Sequence, residues 1–178
     1  MEPIVVKDKK FVEYISKEEI ENIIIDLAHR IELKMRDKNP LYIIMLNGAF
    51  IFAADFLRAL KNPCETLFLK YSSYSGMTTS GTVQTTDIPD SVKGRNIIIL
   101  EDIVDSGLTM EVFKKEIQKK SPNSVTLVSM LSKPEARRTE IKIDFIGKEI
   151  ENKFIVGMGL DYDGYGRNLD AIYVLNEE

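Results

Sequence analysis

Two runs of apolar residues without polar alternation mark the centre of the predicted fold. Residues 41–46 (LYIIML) and 97–100 (IIIL) have the composition of strands that are covered by helices on both faces of a parallel sheet. Residues 67–71 and 124–130 predict two further strands. Shorter strand pieces are expected at residues 4–6, 11–12, 154–156 and 171–175, and apolar alternation predicts another through Ile141, Ile143 and Phe145.

Apolar residues at helical spacing alternate with these strands and predict three helices. Residues 16–19 (SKEE) have the form of a capping box before the first helix. The last helix is expected to begin at about Leu108. The apolar positions of the three helices are Ile20, Ile23, Ile24, Leu27 and Ile31, then Phe52, Phe56 and Leu60, then Met110, Phe113 and Ile117. The alternation predicts an α/β fold in which a central, mostly parallel sheet is flanked by helices.

Residues 72–86 interrupt this pattern, because they are rich in Ser, Thr and Gly and contain almost no core-forming residue. A loop of this length in a compact protein is usually functional or disordered. A mobile lid is the expectation here, since a lid excludes water from a group-transfer reaction.

Composition narrows the class of protein. The 178 residues suit one domain over 1–178, and the net charge of −4 with dispersed lysines argues against a dedicated nucleic-acid binder. Cys64 is the only cysteine, which favours a reducing compartment. No apolar stretch approaches the roughly 18 residues of a membrane span, and the N-terminus lacks a signal-peptide layout, so a cytoplasmic protein without a membrane partner is expected.

The residues after 97–100 change from apolar to polar and contain the candidate chemistry. Glu101 and Asp102 come first, and the turn 105–107 (DSG) precedes the third helix. N–H groups at a helix start, with the hydroxyls of Ser106 and Thr109, suit a phosphate dianion. Adjacent carboxylates beside a phosphate require hydrogen-bond donors or a cation, which ribose hydroxyls or Mg²⁺ supply. The pattern favours a ribose 5-phosphate site, although an ordinary capped turn between strand and helix has the same residues.

Residues 99–109 (ILEDIVDSGLT) resemble the signature of the type I phosphoribosyltransferases. Residues 142–175 resemble the C-terminal region of the hypoxanthine and hypoxanthine-guanine phosphoribosyltransferases, and residues 72–76 (SSYSG) resemble their mobile loop. The resemblance implies the type I fold, with a small hood built from N- and C-terminal segments. It also implies transfer of a phosphoribosyl group from 5-phosphoribosyl 1-pyrophosphate to a 6-oxopurine, dependence on Mg²⁺, and a homodimer or homotetramer.

The same resemblance implies roles for the acidic residues. Glu101 and Asp102 would hold the ribose hydroxyls and, with Asp161, the magnesium ion. Asp105 would face N7 of the purine and is the candidate general base. The residues that would bind the 5-phosphate are Asp105, Ser106, Gly107, Leu108 and Thr109.

Other segments would bind the base and pyrophosphate. Lys133 matches the lysine that donates to the purine 6-oxygen, although a surface lysine is the ordinary alternative. Phe154 would stack on the ring, and the main chain of Ile155 would contact the base edge. The residues implied at pyrophosphate are Leu46, Asn47, Gly48 and Arg167, and those implied in the closing loop are Ser73 and Tyr74.

Two positions depart from the family pattern, and two other functions stay open. Asn47 stands where many members have lysine, and Gly166 stands where an aromatic residue often precedes the arginine. Asn47-Gly48 is also compatible with a simple tight turn. The alternatives are a nucleotide-sensing regulator and a transferase for xanthine or another base.

Overall fold

The structure is a computed structural model in which residues 2–70 and 87–176 are described. Within these residues the chain forms nine strands and three α-helices. The strands are β1 (Ile4–Val6), β2 (Lys9–Ile15), β3 (Leu41–Leu46), β4 (Glu65–Lys70), β5 (Asn96–Val104), β6 (Ser124–Ser132), β7 (Phe145–Glu149), β8 (Ile155–Val156) and β9 (Ile172–Leu175). The helices are α1 (Lys17–Met35), α2 (Phe50–Ala59) and α3 (Leu108–Lys119), and short 3₁₀ turns occupy Asp90–Val92 and Pro134–Ala136.

The central sheet has five parallel strands in the order β4-β3-β5-β6-β7, which confirms the predicted α/β architecture. The apolar runs of β3 and β5 lie at its centre, where Ile43, Ile44, Ile97 and Ile98 are fully buried. α1 contacts α2 and β7, and α2 contacts β3 and β5. The apolar face of α3 is buried in the same core.

The predicted helix start at Ser16 is confirmed, with a different partner for its glutamate. The Ser16 hydroxyl accepts the Glu19 backbone N–H at 3.2 Å, as an N-cap does. The Glu19 carboxylate pairs instead with Lys148 of β7 at 2.6 Å. This ion pair ties the first turn of α1 to the edge strand of the sheet.

A second, antiparallel sheet in the order β1-β2-β9-β8 joins the two ends of the chain. Phe11 of β2 lies opposite Leu175 of β9, and it packs with Val6 and Val156 in a small core of its own. This sheet is the hood that the family resemblance implies. It places Phe154 and the residues that follow it above the carboxyl edge of the central sheet.

Two differences in strand extent bear on the site. The run 97–100 was expected to end at the carboxyl edge of the sheet, but β5 continues through Glu101 and Asp102 to Val104, because its backbone stays paired with β6. The strand predicted through Ile141 and Ile143 begins only at Phe145. Ile141 and Ile143 still pack on the core as irregular chain, and the carbonyl of Ile141 accepts a hydrogen bond from Arg137.

Among the described residues, no helix combines the length and the apolar character that crossing a membrane requires.

Candidate functional site

The strand order creates a crevice between β3 and β5 at the carboxyl edge of the central sheet. β3 pairs with β5 only as far as Ile44 and Leu100, whereas β6 pairs with β5 up to Val104 and Ser132. The chain proceeds from β3 outward to β4 and then returns to the other side of β3, so this is the topological switch point of the sheet. Ligands bind at such a point in open α/β sheets.

Glu101 and Asp102 line this part of β5. Asp102 is 7% exposed and accepts the backbone N–H of Ile103 at 2.8 Å. Burial raises the pKa of Asp102 to about 6, and the charge of Arg167 opposes this shift. Burial, and then the charge of Asp102, raise the pKa of Glu101 well above its ordinary value. Within the described part of the chain, the buried Oε2 of Glu101 has no hydrogen-bond partner. The pair therefore favours a ligand that donates hydrogen bonds or carries positive charge.

The turn after β3 packs directly on the acid pair. A Cβ added to Gly48 would overlap the carboxylate of Asp102, and a Cβ added to Gly159 would overlap the carbonyl oxygen of Gly48. The peptide bond between Leu46 and Asn47 is cis, and the Asn47 side chain is exposed. Sequence reasoning missed the cis bond, since no proline marks it. Glycine at both positions lets three distant segments of the chain meet at one point.

The turn that is predicted to bind phosphate lies directly before α3. α3 begins at Leu108, as predicted, after Gly107 in the left-handed region with φ 81°. The Leu108 N–H lies 3.4 Å from the Ser106 hydroxyl, and the first intrahelical backbone bond of α3 runs from the Glu111 N–H to the Gly107 carbonyl at 2.9 Å. The turn therefore presents the N-terminus of a twelve-residue helix to an anion.

Residues 137–141 pack against this turn, a feature that the sequence did not predict. The Arg138 backbone N–H donates to the Ser106 carbonyl at 2.9 Å. A Cβ on Gly107 would lie 2.5 Å from Thr139 Oγ1, 2.8 Å from Ile141 Cγ2 and 3.0 Å from Arg137 Cδ. The segment thus forms a wall against which the turn rests.

Gly107→Ala should destabilise the protein more than Gly94→Ala, by about 1–3 kcal/mol, which is the usual cost of overpacking. Both glycines have positive φ, 81° and 70°, so both substitutions add backbone strain. Only Gly107 has neighbours in the path of a new Cβ, whereas Gly94 has none within 4 Å. Urea unfolding of the two variants beside the wild type measures the difference, and equal losses would show that the wall of residues 137–141 is not rigid.

Lys133 and Asp105 meet on the opposite side of the turn. Lys133 follows β6 immediately and is 7% exposed, so the alternative of an ordinary surface lysine is wrong. Its Nζ lies 3.4 Å from Asp105 Oδ2, and Asp105 is about half exposed. The pair brings the predicted base donor and the predicted proton acceptor together.

The hood contributes Phe154 and Ile155. Phe154 is 44% exposed, and its ring packs edge-on against Tyr162 at 5.8 Å and at a tilt against Phe11 at 6.2 Å. Ile155 is buried in β8 opposite Val174. An exposed aromatic ring fixed by two others suits stacking on a planar ligand.

Arg167 and Asp161 form one hydrogen-bonded unit within the loop between β8 and β9. Arg167 Nη2 lies 2.7 Å from Asp161 Oδ1, and Arg167 Nη1 donates to the Gly159 carbonyl at 2.6 Å. Asp161 Oδ2 accepts the Gly164 N–H at 2.7 Å, so both of its carboxylate oxygens are engaged. Gly166 has φ 94°, a conformation that favours glycine over the aromatic residue that the resembling family often has at this position.

A magnesium ion fits the acid pair better than it fits Asp161. The unpartnered Oε2 of Glu101 offers a free ligand atom, whereas the Asp161 oxygens are already occupied by Arg167 and Gly164. In the described ranges no group of three or more His, Cys, Asp or Glu side chains is placed to hold a metal. Mg²⁺ commonly binds one or two carboxylates and takes its other ligands from water and substrate phosphates.

Ser73, Tyr74 and the predicted lid at residues 72–86 lie outside the described residues. The other predicted site residues all lie near the carboxyl edge of the central sheet or on the hood above it.

Comparison with known proteins gives consistent matches. Residues 13–163 match the family described as phosphoribosyl transferase domain. The hypoxanthine-guanine phosphoribosyltransferase of Aquifex aeolicus is 34% identical over 97% of this chain and 98% of its own length. That of Bacillus subtilis is 40% identical over 90% of this chain and 91% of its own length.

Solved structures of similar proteins show the same architecture. A hypoxanthine-guanine phosphoribosyltransferase from Bacillus anthracis superposes with a TM-score of 0.83 at 34% identity, over 96% of this chain and 98% of that chain. A hypoxanthine phosphoribosyltransferase from Trypanosoma cruzi superposes with a TM-score of 0.84 at 36% identity, over 93% of this chain and 95% of that chain.

Proposed function

The chain belongs to the phosphoribosyl transferase family, and we propose that it is a purine salvage enzyme that joins hypoxanthine, and also guanine, to 5-phosphoribosyl 1-pyrophosphate. The products are the purine nucleotide and pyrophosphate. The main support is the buried pair Glu101 and Asp102, which lies beside the phosphate turn at the switch point of the sheet. The unpartnered oxygen of Glu101 and the buried carboxylate of Asp102 can each accept a hydrogen bond, and the 2- and 3-hydroxyls of a ribose are two donors at adjacent carbons.

The turn of residues 105–109 would hold the 5-phosphate. The N–H groups at the start of α3 point along the helix axis toward the turn, and the helix dipole adds positive potential there. Phosphate at α3 and hydroxyls at β5 fix both ends of the sugar. The ribose C1 then faces the crevice, where a purine can approach it.

Lys133 and Phe154 would select the base. An ammonium group only donates hydrogen bonds, so Lys133 favours the 6-oxo group of hypoxanthine or guanine over the 6-amino group of adenine. Phe154 offers an exposed ring for stacking, and the main chain of Ile155 would contact the base edge. Asp105, held 3.4 Å from Lys133, would face N7.

The chemistry breaks the bond between ribose C1 and the pyrophosphate oxygen while purine N9 attacks C1. Asp105 would take the proton that the purine loses, because its carboxylate is exposed and, among residues 2–70 and 87–176, pairs only with Lys133. The turn at Leu46, Asn47 and Gly48, with Arg167, would stabilise the leaving pyrophosphate. Asn47 supplies no positive charge there, so main-chain N–H groups and Arg167 would provide more of the stabilisation of the pyrophosphate. Glu101 and Asp102 would hold Mg²⁺, which would neutralise charge on the pyrophosphate when bound; Asp161, whose two oxygens are engaged by Arg167 and Gly164, is not proposed as a ligand.

Ser73 and Tyr74 would close over the reacting groups as part of a lid at residues 72–86, and exclude water. We further propose that the chain acts as one domain in the cytoplasm, as a homodimer or homotetramer. The low isoelectric point and the dispersed lysines support small-molecule substrates over nucleic acid.

Purified protein with Mg²⁺ and 5-phosphoribosyl 1-pyrophosphate should convert hypoxanthine to inosine monophosphate (IMP), with adenine at least about 10²-fold slower in kcat/KM. Competition among hypoxanthine, guanine and xanthine, followed by chromatography of the products, ranks the bases. Because a glutamine amide both donates and accepts hydrogen bonds, Lys133→Gln should reduce the difference in kcat/KM between hypoxanthine and adenine. No nucleotide from any 6-oxopurine would reject the proposal, and binding of RNA or DNA at physiological salt would favour a regulator instead.

A further inference from the structure

Three basic side chains surround the predicted ribose-phosphate site, and two of them are neutralised by carboxylates. Lys133 pairs with Asp105, and Arg167 pairs with Asp161. Arg137 differs, because it forms no ion pair with any carboxylate in the described part of the chain.

Arg137 is nevertheless held firmly. Its Nη1 donates to the Ile141 carbonyl at 3.2 Å and its Nη2 donates to the Ser132 hydroxyl at 2.8 Å. Its Nε is buried and has no partner among residues 2–70 and 87–176. An arginine guanidinium is a permanent cation in proteins. Desolvating a charge without a counterion is costly, so a fixed cation of this kind favours an anion nearby.

The phosphate turn lies directly against this cation. A Cβ on Gly107 would come within 3.0 Å of Arg137 Cδ and 2.5 Å of Thr139 Oγ1, and Thr139 Oγ1 is also buried without a partner. The turn itself contains no basic residue, because the sequence at 105–109 is DSGLT. The nearby acid pair Glu101 and Asp102 would otherwise oppose a phosphate dianion where it is ionised.

We propose that Arg137 is the cation of the 5-phosphate site and selects phosphorylated over unphosphorylated nucleosides through its charge behind Gly107. The inference rests on the proposed function, since the anion is the 5-phosphate of substrate or product. Arg137 acts through the turn and does not touch the phosphate, because its Nε is closed off from solvent by the turn and by residues 137–141. It is therefore a positioning and specificity residue and not a catalytic one.

Binding of IMP and of inosine, measured by calorimetry without turnover, tests the inference. Arg137→Gln removes the charge and should weaken IMP about tenfold, the effect of roughly one pKa unit of differential interaction, while inosine changes little. Arg138→Gln is the matched control: it removes the same charge from the next residue, whose side chain is exposed, and should leave both affinities within about twofold. Arg137→Lys should keep most of the IMP preference. Equal weakening of IMP and inosine by Arg137→Gln would overturn the inference.

The titration of the bound phosphate gives a second readout that a merely structural role would not change. The second phosphate pKa, about 6 in solution, should be depressed in IMP bound to the wild type and rise in complexes with Arg137→Gln, as followed by ³¹P NMR. If Arg137→Gln does not fold, Arg137→Lys is measured instead. A phosphate pKa of bound IMP equal to that in the wild-type complex supports the role of charge. A phosphate pKa equal to that of free IMP overturns it.

These outcomes separate the inference from the proposed function. A wild type that forms no IMP but binds it in an Arg137-dependent way rejects the enzyme and keeps the phosphate cation. A wild type that forms IMP while Arg137→Gln binds it unchanged rejects the inference alone.

Discussion

Asp105→Asn should lower kcat with hypoxanthine by about 10²–10⁴-fold, the usual contribution of a positioned proton acceptor, and should change IMP affinity only a few-fold. Asparagine keeps the size of the side chain and the shape of the phosphate turn, but it cannot accept the proton that the purine loses. Steady-state kinetics and calorimetric IMP binding on the same preparation measure the two effects. Equal losses in both would make Asp105 a structural residue.

The ion pair with Lys133 requires a control for this variant. Removing the Asp105 charge leaves Lys133, which is 7% exposed, without its carboxylate. Asp163→Asn is a matched control, since Asp163 also pairs with a lysine, Lys7, at 2.7 Å, but on the exposed surface of the hood. It should keep kcat within about twofold, because exposed ion pairs contribute little. Thermal unfolding of both variants shows whether loss of fold contributes to any loss of rate.

Local patterns in the sequence were enough to predict the central sheet and the turn after it. The runs at residues 41–46 and 97–100 became β3 and β5, and the DSG turn became the start of α3 at Leu108. These features depend on short-range chemistry: β-branched residues in a buried strand, and a glycine with positive φ before a helix. The acid pair was also recognised, because two carboxylates after such a strand have no place in a core.

Contacts between distant segments were not predictable in the same way. β5 extends to Val104 because its backbone pairs with β6, and the polar side chains of Glu101 and Asp102 hide that continuation in the sequence. The meeting of Gly48, Asp102 and Gly159 depends on the packing of three loops. Each glycine alone predicts only a turn.

Arg137 illustrates the same limit on the scale of one side chain. It lies in the polar stretch 134–140, where an arginine is ordinarily solvated. The burial of its Nε follows from the path of the chain, which returns from the end of β6 and passes beside Gly107 before β7 begins. The residues of the predicted lid, Ser73 and Tyr74 among them, stay predictions.

The stability of the protein should fall as pH rises from about 4 to about 6, because of the same acid pair, Glu101 and Asp102, that is proposed to bind the ribose. Burial raises the pKa of Asp102 from its ordinary 3.8 to about 6, so in this window the folded state binds more protons than the unfolded chain. The stabilisation is complete below pH 4 and is lost as pH passes the folded pKa. A shift of about two units corresponds to about 3 kcal/mol, and the raised pKa of Glu101 acts in the same direction.

Asp102→Asn should therefore stabilise the protein at pH 8, by up to about 3 kcal/mol, while it weakens ribose binding and turnover. The Asn amide oxygen can still accept the Ile103 N–H, and no charge remains to be desolvated. Urea unfolding at pH 4 and at pH 8 measures the effect: the variant should match the wild type at the lower pH and exceed it at the higher.

Asp90→Asn is the control, because the pKa of Asp90 is shifted in the opposite direction to that of Asp102. The hydrogen-bonded ion pair with Lys120 lowers the pKa of Asp90. That pair stabilises the fold above the ordinary carboxylate pKa and is lost as pH falls, so Asp90→Asn should give no gain at pH 8. A wild type whose stability is flat between pH 4 and 6, or an Asp102→Asn variant less stable than wild type at pH 8, would contradict the prediction. Either result would mean that the acid pair is already compensated in the unliganded protein, and the buried carboxylates would no longer favour a sugar at the end of β5.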